Sequence, residues 1–291
     1  MRPRVFEYFA PSTLGEALDL LSDSEDPKIL AGGQSLVTLM KLRLVAPASL
    51  IDINRILGLN YIREEAGRIA IGALTRHDQL AASHLISEKC ELLAEAASVI
   101  ADQQVRNRGS IGGSLAHADP SADLPAACTA LNAELKLTSK NGSRTIAAED
   151  FFVDFFTTAL LRGEVVEEVR IPFPPFSKSG GAYAKLTKGH NDFGLVAVAA
   201  QVSLGRDGTC EAINVVLGGV ASKPTHAIKT EENLLHQQID DHIIQEAALN
   251  ADAGLTPTPD PRASSELKRK MVRRLTERTL GVAFARAQEG V

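Results

Sequence analysis

Ala31-Gly32-Gly33-Gln34-Ser35 and Ser110-Ile111-Gly112-Gly113-Ser114 are two short glycine-rich stretches, here called the first glycine segment (31–35) and the second glycine segment (110–114). Glycine lets a backbone turn sharply and approach a ligand closely, so that consecutive N–H groups can converge on an anion. One Gly-Gly pair is most often only a turn. Two of similar composition in one small domain predict a diphosphate held from two sides.

The first glycine segment lies inside a recognisable local pattern. A short apolar strand over residues 28–31 precedes it, a helix over 36–44 follows, and a second strand covers 49–53. Thr13 and Glu16 have the spacing of a capping box, which predicts an earlier helix. The order strand, glycine, helix, strand predicts a small α/β unit over about the first 55 residues.

Antiparallel hairpins dominate the next part of the chain. Strands at 61–63 and 68–71 form one hairpin, and Asn141-Gly142, a preferred two-residue turn, joins strands at 135–138 and 144–146. A further strand covers 165–171. Residues 172–181 are rich in proline, serine and glycine and are the best linker candidate. Three strands at 183–187, 194–204 and 213–220 and several helices are expected after it.

Composition excludes several classes of protein. The 291 residues are 44% hydrophobic and 23% charged, with a net charge of −5, so no basic field attracts nucleic acid. The basic residues near 268–274 fit the solvated face of an amphipathic helix. No apolar run is long enough to span a membrane and no signal-peptide pattern is present, so we expect a cytoplasmic protein.

The three cysteines, Cys90, Cys128 and Cys210, are far apart in the sequence. They form no Cys-x-x-Cys or Cys/His cluster with the spacing of a zinc or iron–sulfur site. Each has apolar neighbours and is interpreted as a small buried hydrophobe. Any metal chemistry is therefore expected on another chain.

Neither glycine segment has the spacing of a Rossmann fingerprint or a P-loop. Backbone amides, with hydroxyl donors from Ser35, Ser110 and Ser114, are what remains to bind phosphate. Arg106 and Arg108 are close enough in sequence to help bind phosphate, but an interpretation as ordinary surface charges suits them equally well.

A polar stretch follows the second glycine segment. Asp119 precedes Pro120 and fits a turn, and His117 fits a polar loop residue. Asp123 begins an apolar helix. It is either an ordinary N-cap or, if it faces the cleft, an acceptor for ribose or ribityl hydroxyls.

At residues 31–35, 39–43, 104–114, 118–125 and 260–264 the chain resembles the FAD-binding (medium) subunits of the molybdenum hydroxylase and xanthine dehydrogenase family. The resemblance implies an α+β fold. A p-cresol methylhydroxylase/vanillyl-alcohol oxidase-type FAD-binding domain (1–175, subdomains 1–56 and 57–175) would precede a C-terminal domain (180–291) of a three-stranded antiparallel sheet and helices.

The family resemblance also implies that FAD binds non-covalently between the two subdomains, with its diphosphate at the glycine segments. By motif position, Asp123 would contact its sugar chain, Ile100 and Val166 would pack on it, and Lys185 would lie near the isoalloxazine ring. The implied contact residues are Ile29, Leu30, Ala31, Gly32, Gly33, Gln34, Ser35, Leu36, Ile100, Ser110, Ile111, Gly112, Gly113, Ser114, Asp123, Val166 and Lys185.

The family further implies two partners: a large subunit with the molybdenum cofactor and a small subunit with two [2Fe–2S] clusters, assembled as a dimer of heterotrimers. Electrons would pass from the clusters through FAD to an external acceptor. Two alternatives stay open. The chain could be a stand-alone FAD-dependent oxidase or dehydrogenase, or an assembly module that has lost its cofactor.

The chain departs from the common family pattern at three places. Gln34 and Ser114 replace other hydrogen-bonding residues. The run 188–193 replaces an element that relatives carry after the lysine at position 185, so the surroundings of the isoalloxazine ring are less defined by the resemblance.

Overall fold

The computed structural model describes residues 2–189 and 191–290; His190, within the run 188–193, lies outside the described residues. The strands are β1 Glu7–Phe9, β2 Pro27–Leu30, β3 Ser49–Asp52, β4 Ile62–Glu65, β5 Arg68–Gly72, β6 Glu134–Ser139, β7 Gly142–Ala147, β8 Phe152–Asp154, β9 Thr157–Thr158, β10 Val165–Pro172, β11 Lys178–Leu186, β12 Val196–Leu204, β13 Cys210–Gly218 and β14 Thr225–His226.

The helices are α1 Leu14–Asp23, α2 Leu36–Lys41, α3 His77–Ala82, α4 His84–Lys89, α5 Glu91–Ser98, α6 Gln103–Arg106, α7 Ile111–His117, α8 Asp123–Ala130, α9 Ala148–Phe151, α10 Ile228–Leu234, α11 Asp241–Ala248 and α12 Ser265–Glu289, with a 3-10 turn at Ile53–Arg55.

The first subdomain is a three-stranded parallel sheet in the order β1-β3-β2 with α1 packed beside it. The predicted capping box is confirmed, because the Thr13 hydroxyl accepts from the Glu16 amide and the Glu16 carboxylate accepts from the Thr13 amide. In the parallel register Leu30 lies beside Asp52. The first glycine segment and the residues after β3 therefore leave the same edge of the sheet.

The second subdomain is built on an antiparallel sheet in the order β4-β5-β10-β6-β7. Both predicted hairpins are confirmed, including the Asn141-Gly142 turn. The late strand β10 inserts between the hairpins and pairs with β5 on one side and β6 on the other. The core covered by this sheet includes the fully buried helix residues Leu92, Leu93 and Leu124.

The C-terminal domain contains the three predicted long strands, β11, β12 and β13, joined by the two-residue strand β14. The linker is shorter than the predicted 172–181, since β11 starts at Lys178. The early start of β11 is explained by its packing against the distant helix α12, since a Cβ on Gly180 would lie 2.5 Å from the Ala287 nitrogen of that helix. Glycine here allows a helix to pack closely on a strand.

The basic face of α12 is only partly the solvated surface that was expected. Lys268 is buried and its Nζ lies 3.1 Å from Asp260 Oδ2. Arg269 and Arg273 both hold the buried carboxylate of Asp252, at 2.6 and 2.7 Å. These charges anchor the helix to the preceding loop, whereas Lys270 is exposed.

Arg286 of α12 joins the two domains. Its guanidinium donates to Gly181 O at 2.6 Å and pairs with Glu95 of α5 at 2.6 Å, while Glu95 accepts from the Tyr183 amide at 2.8 Å. These contacts fix β11 against α5. The contacts that Arg286 makes with Glu95 and Gly181 are here called the latch. Because β11 also carries Lys185, the latch orients one side of the candidate site.

Arg286→Met is expected to lower the free energy of unfolding by about 1–2 kcal/mol, because it removes the ion pair with Glu95 and the side-chain donor to Gly181 O. Urea unfolding of the full-length chain measures the change. Arg274→Met is the control, since Arg274 is exposed and contacts Glu277 only at 3.5 Å. Equal stability of the two variants would contradict a role for the latch.

Candidate functional site

The first glycine segment connects the end of β2 to the start of α2. Gly33 has φ +75, a conformation that favours glycine. Among the described residues, no protein acceptor takes a hydrogen bond from the amides of Gly33, Gln34 or Ser35. Ser35 is the N-cap of α2, yet its hydroxyl does not cap the helix. The segment therefore presents consecutive uncommitted donors.

The second glycine segment is not a free loop but the first turn of α7. The amides of Ile111 and Gly112 already donate to Thr75 O and Ala73 O, at 3.0 and 2.9 Å. A Cβ on Gly112 would lie 2.5 Å from the Cβ of Ala73. The expectation of a second row of free amides is therefore corrected: part of this segment is used to anchor α7.

The first glycine segment lies against the second glycine segment and the two residues that precede it. A Cβ on Gly32 would collide with the carbonyl oxygen of Arg108 and approach the Gly109 Cα to 2.8 Å. A Cβ on Gly113 would lie 3.7 Å from the Cβ of Ala31. The two Gly-Gly pairs thus meet at one place, and in each pair the first glycine serves protein packing.

The Ser110 hydroxyl is a donor without a partner at this meeting point. The residue is 2% exposed, and its Oγ has no hydrogen-bond partner among the described residues. An unsatisfied buried hydroxyl is costly and calls for an acceptor. A phosphate oxygen fits this requirement, so the residues present suit a diphosphate group.

Asp123 begins α8, but it is not the N-cap, which is Ala122. Its carboxylate is 5% exposed and accepts from the Tyr183 hydroxyl at 2.7 Å and from Lys185 Nζ at 3.0 Å. Burial raises the pKa of Asp123, while Lys185 and the Tyr183 hydroxyl oppose that effect. The structure therefore joins Asp123 and Lys185, which both belong to the expected FAD contact set.

The Lys185 side chain in β11 is only 8% exposed, which a strand pattern alone does not predict for a lysine. Sequence reasoning also missed Tyr183. The available signal was the spacing: Tyr183 and Lys185 are two apart in β11, so they point to the same face. That face carries both donors to Asp123, which lies at the start of α8.

The other expected contact residues have clear structural surroundings. Val166 is buried in β10, and Ile100 packs on the same core. Arg106 donates to the carbonyls of Ile100 and Ala101, at 2.9 and 3.0 Å, so it holds that turn and is not a free surface charge. Arg108 is exposed. The contacts of all the expected residues with FAD, including those of Ile29, Leu30, Leu36, Ile100 and Val166, remain predictions.

Residues 4–174 match the family model described as the FAD binding domain in molybdopterin dehydrogenase, and residues 181–283 match that of the CO dehydrogenase flavoprotein C-terminal domain. The chain belongs to this flavoprotein family. The sequence-based recognition is therefore confirmed, as is the expectation of an FAD-containing oxidoreductase subunit.

Similar proteins cover almost the whole chain. The 6-hydroxypseudooxynicotine dehydrogenase complex subunit alpha of Paenarthrobacter nicotinovorans is 40% identical over 99% of this chain and 97% of its own length. The carbon monoxide dehydrogenase medium chain of Hydrogenophaga pseudoflava is 40% identical, over 98% and 99%.

Two solved structures confirm the expected fold class of the flavoprotein family. A carbon monoxide dehydrogenase structure from Hydrogenophaga pseudoflava superposes with a TM-score of 0.94 and 41% identity, covering 98% of this chain and 99% of the other. Quinoline 2-oxidoreductase from Pseudomonas putida 86 superposes with a TM-score of 0.93 and 33% identity, covering 99% of both chains.

The cysteines are buried, as predicted, and burial raises the pKa of Cys90 to about 12. Within residues 2–189 and 191–290, no group of three or more His, Cys, Asp or Glu side chains is placed to hold a metal ion. In the same part of the chain, no helix has both the length and the apolar composition needed to cross a bilayer.

His77 lies beneath the second glycine segment and was not singled out from the sequence. It is 5% exposed, its amide donates to Gly109 O at 3.1 Å, and its Nδ1 has no partner among the described residues. Burial, and then the charges of Arg76 and Arg106, lower the pKa of His77 to about 4. At neutral pH the ring is therefore uncharged.

The depressed pKa of His77 predicts a pH-dependent stability. Because the unfolded chain titrates near the usual value of 6.5 and the folded chain near 4, the contribution is complete above pH 6.5 and lost as the pH falls to 4. At 1.36 kcal/mol per pKa unit the loss is about 3 kcal/mol. Urea unfolding at pH 7 and pH 4.5 measures most of this loss, about 2 kcal/mol, because the folded chain is not yet fully protonated at pH 4.5.

His77→Gln should flatten this pH profile. His84→Gln is the control and should keep the wild-type slope, because the His84 side chain is 92% exposed. A profile for His77→Gln as steep as that of the wild type would show that His77 is not the group responsible.

Proposed function

We propose that this chain is the FAD-binding electron-transfer subunit of a molybdenum hydroxylase. In this proposal a large partner holds the molybdenum cofactor and oxidises the substrate, and a small partner carries two [2Fe–2S] clusters. Electrons leave the clusters through this chain for an external acceptor. Relatives are named as a medium chain or as one subunit of a dehydrogenase complex, which supports a multisubunit assembly.

The observation that carries the proposal is the meeting of the two glycine segments. Within the part of the chain that the structure describes, the amides of Gly33, Gln34 and Ser35 and the hydroxyl of Ser110 are donors without protein acceptors at one place. Oriented backbone donors are a common means of binding phosphate groups. We assign the diphosphate of FAD to this position and the remaining expected contact residues to the rest of the nucleotide.

Asp123, Tyr183 and Lys185 are assigned to the flavin end of the site. Because Lys185 is paired with Asp123, the two side chains contribute polar contacts and little net charge. The Tyr183 hydroxyl and Lys185 fix the carboxylate as an acceptor for sugar-chain hydroxyls. When bound, FAD supplies the electron-carrying chemistry, and the protein supplies its position and surroundings.

Co-expression with neighbouring genes, followed by purification and measurement of flavin, iron and molybdenum, tests the proposal. We expect the chain to co-purify with two partners and to contain FAD, with both metals in the complex. A yellow chain that purifies alone and oxidises a substrate directly would favour the stand-alone oxidase or dehydrogenase. A colourless chain in a complete complex would contradict FAD binding.

A further inference from the structure

Asn54, which no sequence motif singled out, contacts the first glycine segment. It follows β3, and Asp52 Oδ1 accepts from its backbone amide at 2.9 Å and from its Nδ2 at 2.6 Å. The same Nδ2 donates to Ala31 O at 2.8 Å. One end of the Asn54 side chain is thereby committed to the carbonyl that opens the first glycine segment.

The other end of Asn54 is held by Arg76. Arg76 Nη2 donates to Asn54 Oδ1 at 2.6 Å, and Nη1 donates to Arg108 O at 2.7 Å. Since a guanidinium only donates, this contact also fixes which end of the Asn54 amide is oxygen. The Arg108 carbonyl is the group against which Gly32 packs. Arg76 also forms a β-bridge with Ser110.

We propose that Asn54 and Arg76, here called the Asn54–Arg76 clamp, are positioning residues that fix the separation of the two glycine segments before the nucleotide binds. This inference rests on the proposed function. A chain of hydrogen bonds runs from Ala31 O through Asn54 and Arg76 to Arg108 O, and so joins the starts of both segments. A site ordered in advance binds more tightly, because less conformational freedom is lost on binding.

The clamp requires an arginine. Its planar fork reaches Asn54 and Arg108 O at once, whereas a lysine ammonium is a point donor at the end of a flexible chain. Asp52 supplies the compensating negative charge through Asn54, and its second oxygen accepts from the Tyr8 hydroxyl at 2.6 Å. The clamp is therefore a connected polar network with a defined geometry.

The test uses the full-length chain, with its partners where they are needed for solubility, after removal of flavin. Variants are Arg76→Met, Asn54→Ala and the double variant, and FAD rebinding is followed by flavin fluorescence. Arg144→Met is the matched control: Arg144 also joins a carbonyl, Ala159 O at 2.7 Å, to a side chain, Glu164 at 2.7 Å, but on the sheet of the second subdomain.

We expect each single variant to bind FAD about 10- to 100-fold more weakly, through a slower association. The double variant should be little worse than the weaker single variant, because either change breaks the same connection. Arg144→Met should bind FAD as the wild type does. Unchanged affinity in the single variants, or losses that multiply in the double variant, would overturn the clamp.

Amide hydrogen exchange of the flavin-free chain provides a readout that a general loss of stability does not mimic. Exchange in the clamp variants should accelerate at amides that are hydrogen-bonded around the two segments and stay unchanged at β12 and β13. The reporting amides are those of Gly109, Ile111 and Gly112, and that of Val37, which donates to Gly33 O. Wild-type exchange at the glycine segments would contradict the proposal. If the wild type binds no FAD, the proposed function fails, while this exchange comparison still decides whether the clamp exists.

Discussion

Gly32→Ala is expected to abolish FAD retention, with an affinity loss of about 100-fold or more, because its methyl group collides with the backbone at Arg108 and must push the two glycine segments apart. Backbone atoms cannot rotate away as a side chain can. Overpacking should also lower the free energy of unfolding by about 1–3 kcal/mol. Flavin content after gel filtration and a fluorescence titration of the flavin-free chain measure the effect.

Gly15→Ala is the matched control for Gly32→Ala. Gly15 lies in α1, and among the described residues beyond its chain neighbours and the adjoining helix backbone no atom lies within 4 Å of the position of an added Cβ. The Gly15→Ala variant should bind FAD normally, and its helix should be more stable by up to about 1 kcal/mol. Normal FAD affinity in Gly32→Ala would mean that the contact between the segments does not shape the binding site.

Asp123→Ala should have the largest effect on stability. It leaves Lys185 as an unpaired charge and removes the acceptor of the Tyr183 hydroxyl, in surroundings where each side chain is nearly fully buried. Breaking one partner of a buried pair costs about 3–5 kcal/mol. Urea unfolding of the flavin-free chain measures the loss, and FAD titration at a temperature where the variant is folded measures binding.

The double variant Asp123→Asn with Lys185→Met should recover much of this stability while FAD binding stays weak, because it removes the unpaired charge without restoring the carboxylate. Asp19→Ala is the control for an exposed pair. Asp19 and Lys140 are 2.8 Å apart but more than half exposed, so the change should cost at most about 1 kcal/mol. Similar costs for Asp19→Ala and Asp123→Ala would contradict the argument from burial.

Sequence patterns predicted the elements whose structure depends on interactions between residues that are close in the sequence. The capping box at Thr13, the strand before the first glycine segment and the Asn141-Gly142 hairpin were all recoverable because neighbouring residues specify them. The helical conformation of the second glycine segment was not predicted. Glycine disfavours helix, but the carbonyls of Ala73 and Thr75 hold this stretch in the first turn of α7.

Contacts between distant residues were beyond the reach of sequence patterns. Gly180 and Gly181 resemble a linker, yet the packing of α12 places them in a strand. The pairing of Asp123 with Lys185, and the contact of Arg76 with the Arg108 carbonyl, join residues on different elements. Family resemblance identified Asp123 and Lys185, whereas the residues that hold them and the glycine segments in place required the structure.

A structure of the purified complex would show directly where the diphosphate binds. We expect one FAD on this chain, with its diphosphate oxygens within about 3 Å of the amides of Gly33–Ser35 and of the Ser110 hydroxyl. A diphosphate bound away from both glycine segments, or a complete complex with no flavin on this chain, would contradict it.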